Sequence, residues 1–326
     1  MPSLQTPLCT ALGIDVPVVQ APVGSVSTPE LAAAVTEAGG LGTLAMSWRA
    51  ESAISRVYRT ATDRTDGPVG VNVVLDDSTG ELPPADCLDA CLDAGASVVS
   101  FSFGRADPYV ERVHDAGGTA LVTVGSADQA RAAVDAGADV VVTQGAESGG
   151  HLQSDVSTMA LVPRVAEAVD VPVVAAGGIS DGAGLAAALT LGADGVWLGT
   201  RFVATRESGA HPAYRDRLLD SEATATRRTE QFDRGWPDQP HRVVETDAPD
   251  GTATDPVAYT QAGEPIEANA DLPPLEGMSG DVDALPHYGG QSVGGVTDIP
   301  PAGAVVDRLV EEAVVTLEET AETVQR

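Results

Sequence analysis

The sequence predicts an α/β protein: a (β/α)8 barrel with a small lid or subdomain inserted after the eighth strand. Three observations carry this. First, a helix-ending glycine signature stands in front of short β-branched runs. Glu37-Ala-Gly-Gly40 precedes Leu41–Met46, Asp93-Ala-Gly-Ala96 precedes Ser97–Phe101, and Asp115-Ala-Gly-Gly118 precedes Thr119–Val124. Asp135-Ala-Gly-Ala138 precedes Asp139–Thr143, and Leu191-Gly-Ala-Asp194 precedes Gly195–Gly199. Glycine suits the left-handed cap that ends a helix, and a β-branched run suits the strand that follows. Second, the closer copies lie about 20 residues apart, room for one strand, one helix and two tight turns. Third, the runs are apolar almost throughout, as parallel strands covered by helices are.

Strands near 16–20, 68–74 and 172–175 bring the count to eight. Between them, apolar positions at three-to-four spacing predict helices, among them Pro29–Ala38, Glu51–Thr60, Ala127–Asp135 and Asp181–Leu191. A further helix is expected to begin near Ser157. An open doubly wound sheet is the alternative, but no GxGxxG follows the first strand. After the eighth strand the rhythm stops. Residues 206–298 are rich in Pro, Gly, Asp, Glu and Thr, and are too long for an ordinary loop. A helical pattern lies around His211–Ser221, and a weaker one around Leu275–Leu285 is interrupted by Gly277 and Gly280. The amphipathic stretch Pro301–Val324 reads as the last barrel helix, displaced by the insertion. The expected division is a barrel of residues 1–205 and 299–326, with a lid of residues 206–298.

Composition limits the partners. The formal charge is −30 over 326 residues, and all 18 strong bases are arginine, with no lysine. Acids spread along the whole chain repel nucleic acid and anionic membranes, so neither is expected as a partner. They also repel one another, and roughly molar salt shortens the Debye length to about 3 Å, which relieves that repulsion. A high-salt cytoplasm is the expected setting. No apolar run reaches the roughly 18 residues that span a bilayer. The start Met1-Pro-Ser-Leu-Gln-Thr6 lacks basic and apolar signal-peptide regions, so a cytoplasmic location is expected. Cys9, Cys87 and Cys91 form no CxxC or His–Cys ligand pattern. Cys87 and Cys91, one helical turn apart, read as small apolar residues on one face.

In TIM barrels the active site lies at the C-terminal strand ends, with phosphate often in the loops after strands seven and eight. Here those ends carry Gly177-Gly178 and Gly199-Thr200, which can present bare backbone amides and one hydroxyl. Plain tight turns are the alternative. Arg201 can add charge there or form a surface ion pair. The first strand ends Gln20-Ala21-Pro22-Val23-Gly24, the third carries Asn72, and the sixth empties into Gln144-Gly-Ala-Glu147-Ser-Gly149-Gly150-His151. Asn72 and Gln144 can each donate and accept, which suits the edge of a polar heterocycle; backbone partners are the alternative for Asn72. Gly149 and Gly150 let backbone approach a flat ligand closely. His151 is the group in that loop able to exchange a proton near neutral pH. A phosphate, a polar heterocycle and an adjacent histidine together resemble an FMN site. Trp197 reads as packing, Trp236 as an anchor of the lid, and His114, His211, His241 and His287 as structural or exposed.

Longer motifs sharpen this. Ala21-Pro22 with Gly24, Ala38-Gly-Gly-Leu-Gly42, Val71-Asn72, Gln144-Gly-x-Glu-x-Gly-Gly-His151, Ala176-Gly-Gly-Ile179 and Leu198-Gly-Thr-Arg-Phe202 occur in order. They continue with Ala204-Thr-Arg-Glu-Ser208, Ala210-His-Pro-x-Tyr214, Thr226-Arg-Arg-Thr229, Gly235-Trp-Pro237, Arg242-Val243 and Tyr288-Gly-Gly-Gln-Ser-Val-Gly294. Over about residues 16–300 the chain resembles the nitronate monooxygenase (2-nitropropane dioxygenase) family, close to the flavin-dependent enoyl-ACP reductases. The resemblance implies FMN bound by Ala21, Pro22, Val23, Asn72, Gln144, Gly149, Gly150, Gly177, Gly178, Gly199 and Thr200. It makes His151 the catalytic base, removing the proton α to a nitro group or holding a nitronate that then passes an electron to FMN, with O2 reoxidising it. Gln291 and Ser292 would complete the substrate pocket. Thr123 falls where some relatives carry a lysine near the flavin.

A second reading keeps FMN and His151 but takes electrons from NAD(P)H to reduce enoyl thioesters or other small electrophiles. Without lysine a Schiff-base aldolase is excluded, and the cysteines are poorly placed for an inosinate-type dehydrogenase. A flavoprotein without turnover would leave His151 unused. Monomer and homodimer both stay open.

Overall fold

Five helix-ending glycines take left-handed backbone: Gly39 (φ 87°), Gly95 (96°), Gly117 (76°), Gly137 (98°) and Gly192 (99°). A side chain there would strain the turn, so these positions fix where each helix stops and the next strand begins. In the computed structural model, which describes residues 4–246 and 256–324, the strands are β1 Val18–Gln20, β2 Gly42–Ala45, β3 Val69–Val74, β4 Val98–Ser102, β5 Thr119–Val124 and β6 Val140–Gln144. After a two-residue β7, Gly150–His151, outside the wall, come β8 Val173–Ala176 and β9 Gly195–Leu198. The wall is parallel, in the order β1-β9-β8-β6-β5-β4-β3-β2. Leu41 N–H donates to Val18 O and Gln20 N–H to Leu41 O, both at 2.9 Å, and these bonds close the ring. The fold is a TIM barrel.

Its helices are α1 Pro7–Leu12, α2 Pro29–Glu37, α3 Glu51–Thr62, α4 Pro84–Asp93, α5 Asp107–Asp115, α6 Ala127–Asp135, α7 Thr158–Ala166 and α8 Gly182–Thr190. After the short α9, Thr200–Val203, come α10 Pro212–Leu219 and α11 Ala302–Val324. Leu8, Cys9 and Leu12 of α1 pack under Val19, Leu121, Val140 and Val174 in the barrel interior. Thr6 Oγ1 donates to Asp194 O (2.6 Å), just before β9, so α1 plugs the N-terminal end and leaves the C-terminal end open. In α11, Ala302, Val305, Val306, Leu309, Val310 and Ala313 form one buried stripe at helical spacing against α2 and α8. Gly182 N–H at the head of α8 donates to Glu312 Oε2 (3.0 Å). The helix after the insertion thus fills the eighth position of the outer ring.

Between α10 and α11 the chain adds strands that the sequence did not announce. β10 Thr226–Thr229 pairs antiparallel with β11 His241–Val244, and β11 also pairs β7, His241 opposite His151. A second small sheet joins β12 Pro256–Tyr259, β13 Pro265–Glu267 and β14 Ser279–Gly280. The helix expected over Leu275–Leu285 does not form. Gly277 (φ 83°) and Gly280 (φ 95°) turn left-handed and break it, leaving β14 and a 3-10 turn at Val282–Ala284. Cys87 and Cys91 are fully buried on the inner face of α4. No helix among the described residues is long and apolar enough to cross a membrane.

The acidic coat carries a measurable consequence. With a net charge of −30, the melting temperature is expected to rise between dilute buffer and molar KCl as screening relieves self-repulsion. A melting temperature unchanged by KCl in calorimetry would contradict this.

Candidate active site

A cavity of about 400 Å³ opens at the C-terminal end of the barrel. Ala21, Pro22, Val23, Asn72, Gln144, Gly149, Gly150, His151, Gly177, Gly178, Gly199, Thr200 and Ser292 all line it, and so does Thr123. Gln291 does not: its side chain is exposed, while its backbone N–H donates to Glu147 O (2.9 Å). Arg201 is buried but turns away, pairing with Asp298 at 2.8 Å.

The sixth strand's exit is held by its own amide. Gln144 Nε2 donates to His151 O (3.0 Å) and Gln144 Oε1 accepts from Gln153 N–H (2.8 Å), folding the loop back on itself. Glu147 Oε2 accepts from Thr158 N–H (2.8 Å) and ties the same loop to the start of α7. A Cβ on Gly149 would stand 2.5 Å from Gly290 N and 2.7 Å from Gly289 C, so two backbones cross where only glycine fits. Gly290 N–H donates to Thr200 Oγ1 (2.9 Å), binding that crossing to the end of β9. After β8, Gly177 (φ 104°) and Gly178 (φ 75°) are consecutive left-handed residues that reverse the chain beside the cavity. Asn72 Nδ2 donates to Ser100 O (3.2 Å) and Ser100 Oγ (3.0 Å), so this amide is oriented by β4. Ser148 Oγ and Gln153 Nε2 belong to cavity-lining residues, are buried, and have no hydrogen-bond partner among the described residues.

His151 sits inside a cluster. Its ring centroid lies 4.3 Å from Trp236, 5.3 Å from His241, 5.5 Å from Tyr288 and 6.4 Å from Phe103. Its Nε2 is 3.5 Å from Asp271 Oδ1, a contact without hydrogen-bond geometry, and the Asp271 side chain is 5% exposed. The Tyr288 hydroxyl donates to the same Oδ1. Burial lowers the His151 pKa to about 3, with His241 pushing the same way. Burial raises Asp271 to about 6, opposed by the Tyr288 hydrogen bond. Burial and the nearby Asp271 raise Tyr288 further still. At neutral pH the cluster is a neutral imidazole facing a carboxylate.

Trp236 is an anchor and more. It is 1% exposed, donates from Nε1 to Asp76 Oδ2 (2.8 Å), and also lines the cavity, as Trp197 does from the barrel interior. His114 pairs with Asp139 at the surface, and His211 Nδ1 accepts from Ala213 N–H (3.1 Å) to cap α10. His287 is buried with Nδ1 2.9 Å from Leu285 O. His241, expected to be merely structural, stands next to His151. Sequence reasoning also passed over Asp271, Phe103 and Trp48. Tyr288 and Trp236 lay inside motifs already singled out, and His241 immediately precedes Arg242-Val243. Nothing local marked Asp271 among 48 acids.

Comparison with known proteins decides the family. The chain matches the nitronate monooxygenase family over residues 5–86 and 84–312. It belongs to that family. It is accordingly an oxidoreductase. The nitronate monooxygenase of Paraburkholderia phytofirmans is 32% identical over 346 residues, covering 91% of this chain and 92% of that protein. A 5-hydroxy-7a-methyl-1-oxo-octahydro-1H-indene-4-carboxyl-CoA dehydrogenase of Rhodococcus jostii is 37% identical over 250 residues, covering 76% and 67%. FabK from Thermotoga maritima superposes with a TM-score of 0.84 at 30% identity, covering 98% of this chain and 100% of that one.

Proposed function

We propose that this member of the nitronate monooxygenase family is an FMN enzyme oxidising alkyl nitronates or nitroalkanes with O2, with His151 as its base. The observation that supports it most is the buried His151 ring beside Asp271 and Tyr288, in one cavity with the Gly149, Gly177 and Gly199 turns. That cavity suits FMN. Glycines stand where side chains would crowd the backbone, and the buried Ser148 hydroxyl has no partner among the described residues. Ala21, Pro22, Val23, Asn72, Gln144, Gly149, Gly150, Gly177, Gly178, Gly199 and Thr200 would hold it. Bound FMN supplies the electron transfer and the reaction with O2.

The chain's own residues handle the proton. Closing the 3.5 Å gap between Nε2 and Asp271 Oδ1 when substrate binds would hold the proton on Nε2 of His151 and leave Nδ1 as the basic nitrogen. Nδ1 then removes the proton on the carbon bearing the nitro group. The imidazolium so formed faces the Asp271 carboxylate, which offsets the cost of charging a buried ring. Residues 206–298 act as a substrate lid: Trp236 and Tyr288 keep water from the ring, and Ser292 meets the substrate. The enzyme works in a salty cytoplasm as monomer or homodimer.

Because burial holds Asp271 near 6, the ionised form this role needs fills in as pH rises through about 6. The pH profile of kcat/KM for a nitroalkane is therefore expected to climb over that range. Asp271→Asn should remove the climb; a profile identical to wild type would exclude Asp271 from the proton unit.

The reading is tested by anaerobic bleaching of the flavin with propyl-2-nitronate and, separately, NADH and NADPH. Bleaching by the nitronate with little from either nicotinamide is expected. The resemblance to the flavin-dependent enoyl-ACP reductases favours a nicotinamide-driven reductase as the second reading, and rapid bleaching by NADH or NADPH with the nitronate inert would establish it instead.

A further inference from the structure

Phe103 holds a backbone conformation that glycine would hold without strain. Its φ is 58°, and besides Asp238 no other non-glycine among the described residues has positive φ. A glycine stands next door, but Gly104 serves a different need, since a Cβ there would meet Leu75 Cβ at 2.5 Å. The strained position is thus given to a large ring. The conformation is held from outside: Phe103 N–H donates to Gln153 Oε1 (2.6 Å), and Gln153 is fixed in turn by Gln144. Backbone strain maintained by such a clamp is a feature of ligand-contacting positions.

The ring so placed forms part of a wall. Phe103 meets Trp236 edge to face at 4.6 Å, and Trp236 lies 5.8 Å from Trp48. Trp236 is pinned by Asp76 and Trp48 by Thr79, so both indoles are fixed by their N–H groups. All three rings line the cavity on the side of His151, and Leu272 joins them. The charged side chains of the lining are acidic, Glu81 at the exposed rim and Asp271 beneath. An apolar wall with acids beside it suits a flat, uncharged group and disfavours an anionic one.

We propose that the outer part of the cavity is a subsite for an uncharged cycloalkyl or aryl group on the nitro-bearing carbon, with Phe103 as its specificity-determining residue. This rests on the proposed nitroalkane chemistry.

The test compares nitrocyclohexane with 2-nitropropane, and 3-nitropropionate with its methyl ester, in the holoenzyme. The kcat/KM for nitrocyclohexane is expected to exceed that for 2-nitropropane by roughly tenfold, as one well-seated apolar group achieves in a hydrophobic pocket. The ester should surpass the free acid. In Phe103→Gly, which relaxes the backbone, and Phe103→Ala, which keeps it strained, the ring preference should fall toward one. A wild-type ratio near one, or a ratio unchanged in both variants, would overturn the proposal. If neither the nitroalkanes nor their nitronates are turned over, the functional reading fails and the wall is tested alone by quenching of intrinsic tryptophan fluorescence. Benzamide binding more tightly than butyramide, with the difference lost in Phe103→Gly, sustains the subsite; equal binding overturns it.

Discussion

Replacing His151 by alanine is expected to lower kcat/KM for neutral 2-nitropropane by roughly 10²–10⁴-fold, the usual worth of a positioned proton acceptor. The preformed nitronate should lose far less, because its proton has already gone. This split separates a base from a packing residue. A His151 that merely supported Trp236, 4.3 Å away, would depress both substrates together. Steady-state rates with the two forms, alongside the flavin absorbance of the variant, distinguish the cases. Asp271→Asn should follow the same pattern more weakly, since it leaves the imidazole in place.

Gly149→Ala is expected to weaken FMN retention by roughly 10- to 100-fold, from an overpacking cost of about 1–3 kcal/mol. The added methyl would meet Gly290 N at 2.5 Å, Gly289 C at 2.7 Å and Gly289 Cα at 2.9 Å. These are backbone atoms, so no side chain can swing aside. Either the loop carrying His151 or the segment at Gly289–Gly290 has to move, and Thr200 is tied to the latter. Gly290→Ala approaches the same crossing from the other side, 2.6 Å from Glu147 O and 2.8 Å from Gly149 N, and should match it. Fluorescence titration of the apoprotein with FMN measures both. Unchanged affinity in the two variants would show that the crossing does not shape the cofactor cradle.

The barrel was legible because local rules write it into the chain. Left-handed glycines such as Gly95 and Gly137 must follow helices, and buried parallel strands must be apolar, so both leave fixed sequence marks. The cavity lining was legible for a related reason: close backbone approach at Gly149 and chain reversal at Gly177 demand glycine. What stayed hidden depends on contacts between distant segments. Asp271 reaches His151 across 120 residues of sequence, and its importance lies in burial, which no local pattern reveals. Gln144 lines the cavity as its place in the sequence suggested, but the bonds that orient it run to the backbone of its own loop, which the sequence did not show. The weak helical pattern at Leu275–Leu285, by contrast, gave way to Gly277 and Gly280, an interruption already visible in the sequence. Phe103 gave no warning because its conformation is imposed by Gln153, fifty residues on.

The most direct test of the account is the visible spectrum of the protein purified in molar KCl, with the flavin released and quantified. One FMN per chain, lost or sharply weakened in Gly149→Ala and retained in His151→Ala, is the predicted result. A colourless protein that gains no flavin spectrum on incubation with FMN would contradict the assignment of the barrel mouth and the chemistry built on it.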